Sequence, residues 1–230
     1  MLKFDRPTLL TITAPTCSGK NFLMAALERE LGFTQIVSTT TRAQRAGEVN
    51  GKDYWFISDA QSRAMEANGE FAELITFRNV RYGVTHAEMN TKMYGNTVPM
   101  VILEPQGLAA YKKICVDNGW DVYTVYVSTV ESTRIARLNA RTLDEICTAH
   151  DDLSENESGR DLRAKWDRSI KVHTDRLLSI TGEERRWSNT TLWDAIVPGD
   201  DVRTAIEYIK LGVANRNHRV ATPAPYEHQV

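Results

Sequence analysis

The stretch Thr8-Leu9-Leu10-Thr11-Ile12-Thr13-Ala14-Pro15-Thr16-Cys17-Ser18-Gly19-Lys20-Asn21 passes from an apolar run through a tight loop into a helical pattern. It reads as a phosphate-binding loop. The usual spacing is Gly, four residues, Gly-Lys, then Ser or Thr; here it is Ala14, four residues, Gly19-Lys20, then Asn21. Backbone N–H groups at the end of a strand form a concave nest, the next helix points its positive end at the same spot, and a lysine adds a full charge. Thr16, Cys17, Ser18, Gly19, Lys20 and Asn21 are therefore the expected phosphate ligands. Gly19 can take a positive φ, and Ala14 is tolerable if its own φ stays negative. Asn21 stands where a hydroxyl usually ligates magnesium, so its amide oxygen is the candidate Mg2+ ligand. An ordinary strand-to-helix turn is the alternative reading of the same residues.

Composition narrows the classes around that loop. The 230 residues allow one large α/β domain or two small ones. With 42% hydrophobic and 25% charged residues the chain can bury a real core. A net charge of -2 gives no bulk reason to expect nucleic acid or a membrane as partner. Cys17, Cys115 and Cys147 have no paired spacing, which argues against a disulfide framework or zinc site, and the five histidines form no metal spacing. No signal peptide and no apolar run near 18 residues is present, so a soluble cytoplasmic protein is expected.

Onward from the loop, strand and helix alternate. Leu23, Ala26, Leu27 and Leu31 mark a helix from about Lys20 to Leu31. A short strand is expected at Gln35 to Ser38, then a polar loop from Thr39 to Asp53 carrying Arg42 and Arg45, then an aromatic strand, Tyr54 to Ile57. Ser58 with Gln61 forms a capping box for a helix to about Asn68. Phe71 to Phe77 and Val80 to Val84 read as strands that could join Tyr54 to Ile57 in a small separate sheet; residues 85 to 93 are weakly helical. Pro99 to Leu103 suits a buried parallel strand, followed by a helix from Gln106 to about Val116 and a strand from Asp121 to Val127. Ser128 and Glu131 are expected to cap a helix bearing Arg134, Arg137 and Arg141. Thr142 to Gly159 turns acidic and loses its apolar period, as a mobile flap would; a charged helix runs from about Arg160 to Leu178. Ala195 to Val197 is a last strand, and Val202, Ala205, Ile206 and Ile209 mark a closing helix.

This alternation predicts an α/β fold, a mainly parallel sheet flanked by helices, with a small sheet set apart from the main one and a helical flap. The expected organisation is a core from residues 1–38 and 95–214 with a lid at about 134–170, a subdomain at 39–94, and a disordered tail at 215–230. Ligands in such sheets sit at the carboxyl ends of the strands. That puts the loop at 14–21, the arginine loop at 39–53 and the segment after Leu103 on one rim, an arrangement suited to two nucleotides.

The run from Val37 to Phe56 closely resembles the nucleotide-binding segment of guanylate kinases. Glu70-Phe71-Ala72-Glu73, Arg81-Tyr82-Gly83 and Leu103-Glu104-Pro105-Gln106-Gly107 continue the likeness in the family's order. It covers residues 7 to 141 well and reaches Leu211 loosely. The resemblance implies that Arg42, Arg45, Tyr54 and Tyr82 hold the monophosphate of the acceptor, a task suited to two guanidinium forks and two phenols. It implies that Ser38, Glu73 and Glu104 read the guanine edge, since a carboxylate accepts from N1–H and the exocyclic amine together. It also implies ATP and Mg2+ at the phosphate loop, with Lys20, Arg137, Arg141 and Arg168 as catalytic cations. Arg160 or Arg163 could take the place of Arg168.

The sequence departs from the family on the donor side. Ile102 stands where an aspartate commonly assists the metal, Val84 replaces a hydroxyl residue, and Ala14 and Asn21 alter the loop. The function expected is transfer of the γ-phosphoryl group of ATP to GMP or dGMP, by a monomer or homodimer. Two alternatives are a kinase of other or broader base specificity and a guanylate-kinase-like binding module that has lost turnover.

Overall fold

The computed structural model describes residues 6–45, 47–77, 79–151, 159–187 and 190–218. The first strand, β1 (Thr8–Thr13), is buried along its whole length. A strand covered on both faces needs such a run, and β1 holds the centre of a sheet. After it come α1 (Lys20–Leu31), β2 (Thr34–Gln35), β3 (Thr39–Thr40), β4 (Trp55–Phe56), α2 (Asp59–Ala67), β5 (Phe71–Phe77), β6 (Val80–Thr85) and α3 (His86–Met93). The second half carries β7 (Pro99–Ile102), α4 (Leu108–Asp117), β8 (Asp121–Ser128), α5 (Glu131–Asp151), α6 (Gly159–Trp187), β9 (Ala195–Pro198) and α7 (Val202–His218).

Five strands form a parallel sheet in the order β2-β7-β1-β8-β9. Leu23 and Leu27 of α1 and Ile206 and Ile209 of α7 pack with Leu10, Ile12 and Val125 on one face. Met89 of α3 and Tyr111 of α4 pack with Leu9 and Val101 on the other. Both faces are thus covered, as the strand-helix alternation requires. A second, four-stranded sheet runs β4-β3-β6-β5, with β3 and β4 parallel and the other pairs antiparallel. The capping box is present: Gln61 N–H donates to Ser58 Oγ, and Ser58 N–H donates to Gln61 Oε1.

The structure redraws six expected boundaries. Of the strand expected at Gln35 to Ser38 only Gln35 is in a strand, β2, and Thr39–Thr40, expected in the polar loop, form β3 of the second sheet. Between them Ile36 N–H donates to Met100 O at 2.8 Å and Val37 N–H to the Glu88 carboxylate at 2.9 Å, so the crossing is satisfied without strand pairing. The aromatic strand shrinks to Trp55–Phe56, because Tyr54 is taken up in a bridge with Asn50. Ser128 does not cap α5: it pairs with Pro198 at the end of β8, and the first turn of α5 closes through Arg134 N–H to Val130 O. The flap expected from Thr142 instead continues α5 to Asp151, and α6 extends past Leu178 to Trp187. The Thr142 hydroxyl and His173 Nδ1 share a hydrogen bond of 2.8 Å, so pairing of the two helices sustains helix where the apolar stripe fades. Residues 152–158 of the flap and 219–230 of the expected tail lie outside the described residues. Asn215 to His218 belong to α7.

Candidate functional site

The loop between β1 and α1 departs from ordinary backbone at two residues. Gly19, at φ 91°, precedes the first turn of α1, and Cys17 takes φ 63°. Ala14 is not among the residues of positive φ, so the missing glycine there costs no strain. Behind the loop, Thr129 Oγ1 donates to Ser18 O at 3.1 Å and Gly199 N–H donates to Ser128 O at 2.7 Å. A Cβ on Gly199 would stand 2.1 Å from Thr129 Oγ1 and 2.2 Å from Ser18 O, so only glycine lets the β9–α7 turn approach. From α5, Arg137 donates to Cys17 O at 3.2 Å and Gly199 O at 3.4 Å. Thr129 and Gly199 were not singled out from the sequence, which carries no local sign of a contact spanning more than 60 residues.

Facing this loop is the small sheet. Arg42 donates from both terminal nitrogens to the Glu48 carboxylate, at 2.8 and 3.0 Å, and from one of them to Ala43 O at 2.8 Å. Arg45 N–H also donates to Glu48, at 2.8 Å. The Arg42 hydrogen bond holds Glu48 below the usual carboxylate range and raises Arg42 in turn. The guanidinium lies 5.4 Å from the centroid of the Tyr54 ring and 5.6 Å from that of Phe56. Glu48 was missed as a functional residue, although its place three residues after Arg45 could have identified it as the anchor of this loop.

A cavity of about 470 Å³ separates the two walls. Lys20 and Asn21, Arg42 and Arg45, Tyr54 and Tyr82, and Arg137 and Arg141 all line it. Five cationic side chains thus share one hollow with one carboxylate, Glu48, which is already paired. A neighbouring cavity of about 290 Å³ is lined by Ser38, Glu73, Glu104 and Tyr111, and it shares Lys20, Tyr54, Tyr82 and Ile102 with the first. Burial pushes the Glu73 carboxyl up to about 7. Of the residues expected at the site, Thr16 and Arg168 line neither cavity. Arg168 is exposed on α6.

Magnesium finds few protein ligands here. Ile102 presents an apolar side chain where a carboxylate would serve, and no group of three His, Cys, Asp or Glu residues able to hold a metal exists among the described residues. Asn21 is exposed at the mouth of the first cavity. Magnesium commonly keeps several waters and binds through few protein ligands plus substrate phosphates. The residues therefore offer no preformed magnesium cage, and the Asn21 amide oxygen is a donor open to an ion that arrives already bound to phosphates.

Comparison with known proteins agrees with this geometry. The family model described as guanylate kinase matches residues 6–157. The chain belongs to the guanylate kinase family. A guanylate kinase of Chlamydia trachomatis is 31% identical over 138 residues, covering 59% of this chain and 65% of its own length. One from Trichormus variabilis is 40% identical over 96 residues, 41% of this chain and 48% of its own. The chain thus spans less than two thirds of the length of these curated guanylate kinases. The crystal structure of a guanylate kinase from Anaplasma phagocytophilum superposes with a TM-score of 0.58 at 19% identity, over 94% of this chain and 88% of that one, a likeness of fold. No helix among the described residues is long and apolar enough to cross a membrane.

Proposed function

We propose that this guanylate kinase family member transfers the γ-phosphoryl group of ATP to GMP or dGMP. The observation that carries the reading is the 470 Å³ cavity, lined both by the phosphate loop and by the Arg42–Arg45–Tyr54–Tyr82 group, so that a donor's triphosphate and an acceptor's monophosphate can meet in it. Residues 39–94 act as the acceptor subdomain, the parallel sheet with its loop as the donor core, and α5 with α6 as the lid.

The loop N–H groups and Lys20 hold the donor's phosphates. Arg42 has five N–H donors, of which three are used in the bonds above, so two remain for the acceptor phosphate. Arg45 and the phenols of Tyr54 and Tyr82 complete that subsite. An oxygen of the acceptor phosphate attacks the γ-phosphorus, and the bond to the β-phosphate oxygen breaks as ADP leaves. Charge spreads over the equatorial oxygens of the group in flight, so positioning and neutralisation carry the reaction. Arg137 and Arg141 supply that neutralisation from α5, and Arg168 is placed to join only if α6 closes further. Magnesium bound to the phosphates, with Asn21 beside it, would add Lewis-acid neutralisation of the same charge. Ser38, Glu73 and Glu104 select guanine, whose N1–H and amine adenine lacks as a pair.

Asn21 and Ile102 favour one second reading, a module that binds GMP without turnover. ADP release, measured with ATP and magnesium and with GMP, dGMP, AMP, CMP and dTMP offered in turn, separates the two. Turnover with GMP or dGMP that disappears in Lys20→Ala is expected. Binding of GMP by calorimetry with no turnover for any acceptor would leave only the module.

A further inference from the structure

Glu73 and Tyr111 both line the second cavity, and neither side chain makes a hydrogen bond among the described residues. Tyr111 is 1% exposed, yet it lines the hollow. It sits four residues after Gly107, so both residues share one face where the Pro105–Gly107 turn runs into α4. That face packs on β5: a Cβ at Gly107 would lie 3.6 Å from Glu73 Oε1, and the Glu73 charge contributes to the rise of the Tyr111 phenol's pKa. A carboxylate brought into an apolar hollow needs a donor to stay charged.

We propose that Tyr111 is a positioning residue for Glu73, its phenol donating to the carboxylate and holding it ionised and turned toward the acceptor's base. The inference rests on the reading of this cavity as the guanine site. Other groups do not fill the role. Glu104, from the turn before α4, is a second acceptor, and Cys115, one helical turn beyond Tyr111, is a buried thiol. Tyr82 of β6 and Tyr54 lie toward the phosphate cavity, which they also line. Lys20 lines the hollow from the phosphate loop but does not contribute to the Glu73 shift, which burial alone causes. Burial holds the phenol protonated throughout the working range, so Tyr111 remains a donor whenever Glu73 loses its proton. The base then presents N–H groups to one side of a carboxylate whose other lone pairs already have a partner.

The test is calorimetric titration of GMP and AMP into the full chain and into Tyr111→Phe from pH 5.5 to 8.5, with thermal unfolding of both proteins as a check on folding. The nucleotide phosphate titrates identically in both series and cancels in the comparison. Burial alone would put the midpoint near 7, so with the phenol donating, GMP affinity in the wild type is expected to rise with pH to a midpoint below 7. In Tyr111→Phe the midpoint should move up toward 7, by about one pH unit, and GMP affinity at pH 6 fall about fivefold, with AMP binding unchanged. An unmoved midpoint overturns the proposal, whether or not affinity falls, because a packing role alone would weaken binding equally at every pH. A wild type that does not prefer GMP to AMP would instead overturn the reading of the cavity as the guanine site.

Discussion

Glu73 shows how one residue can serve the ligand at the expense of the free protein. Burial raises its carboxyl to about 7, so between the unfolded value and 7 the folded chain binds more protons than the unfolded one. Stability therefore falls as pH rises through that window and is fully restored below it, while GMP, which on the proposed reading needs the ionised form, should bind better over the same rise. Allowing for screening of a partly exposed group, Glu73→Gln should stabilise the free protein by about 1 kcal/mol at pH 8 and by nothing at pH 4, as read by urea unfolding. Equal stabilisation at both pH values would show that Glu73 is ordinarily ionised. Glu73 could be picked out in the sequence only through its likeness to the family, because neither its burial nor the approach of Tyr111 leaves a local mark. Arg42 and Arg45 were readable as a pair, but Glu48, which fixes their geometry, looked like one more charge in a polar loop.

Among the elements, α5 divides its arginines between two tasks. Arg134 is fully buried and donates to Ile180 O of α6 at 3.3 Å, whereas Arg137 and Arg141 line the phosphate cavity. Arg134→Ala should cost about 2–3 kcal/mol in denaturant unfolding, because the aliphatic stem is packed, and Arg134→Met should recover most of that. Arg137→Met, which loses the bonds to Cys17 O and Gly199 O, should cost about 1 kcal/mol and weaken ATP binding more than that. If Arg134→Ala proved neutral, α5 would not be pinned to α6 at that point. The sequence showed three arginines at helical spacing and could not say which one turns inward, since Ile180 is 46 residues away. Elements set by local chemistry were legible: the Ser58 cap, the span of α1 and the apolar runs of β1 and β7. Elements set by distant partners were not. Gln35 to Ser38 read as one strand and β3 as part of a loop because the move from one sheet to the other has no sequence signal, and α5 outlasts its apolar stripe because α6 lies beside it.

The molecule as a whole hides its charge. A net charge of -2 excludes little, yet Lys20, Arg42, Arg45, Arg137 and Arg141 converge on one hollow from the phosphate loop, the small sheet's arginine loop and the lid. The convergence follows from topology. The β1–α1 loop opens at the carboxyl edge of the parallel sheet, and the small sheet and α5 are carried to the same edge. The claim that this hollow holds both nucleotides end to end is tested most directly by calorimetry with a single molecule in which adenosine and guanosine are joined through five phosphates. Linking two ligands that occupy adjoining sites makes the second contact intramolecular, so one molecule should bind per chain, at least about a hundredfold more tightly than ATP or GMP alone. Affinity no better than that of ATP, or two molecules bound per chain, would mean that the two phosphate subsites do not meet and would contradict the account.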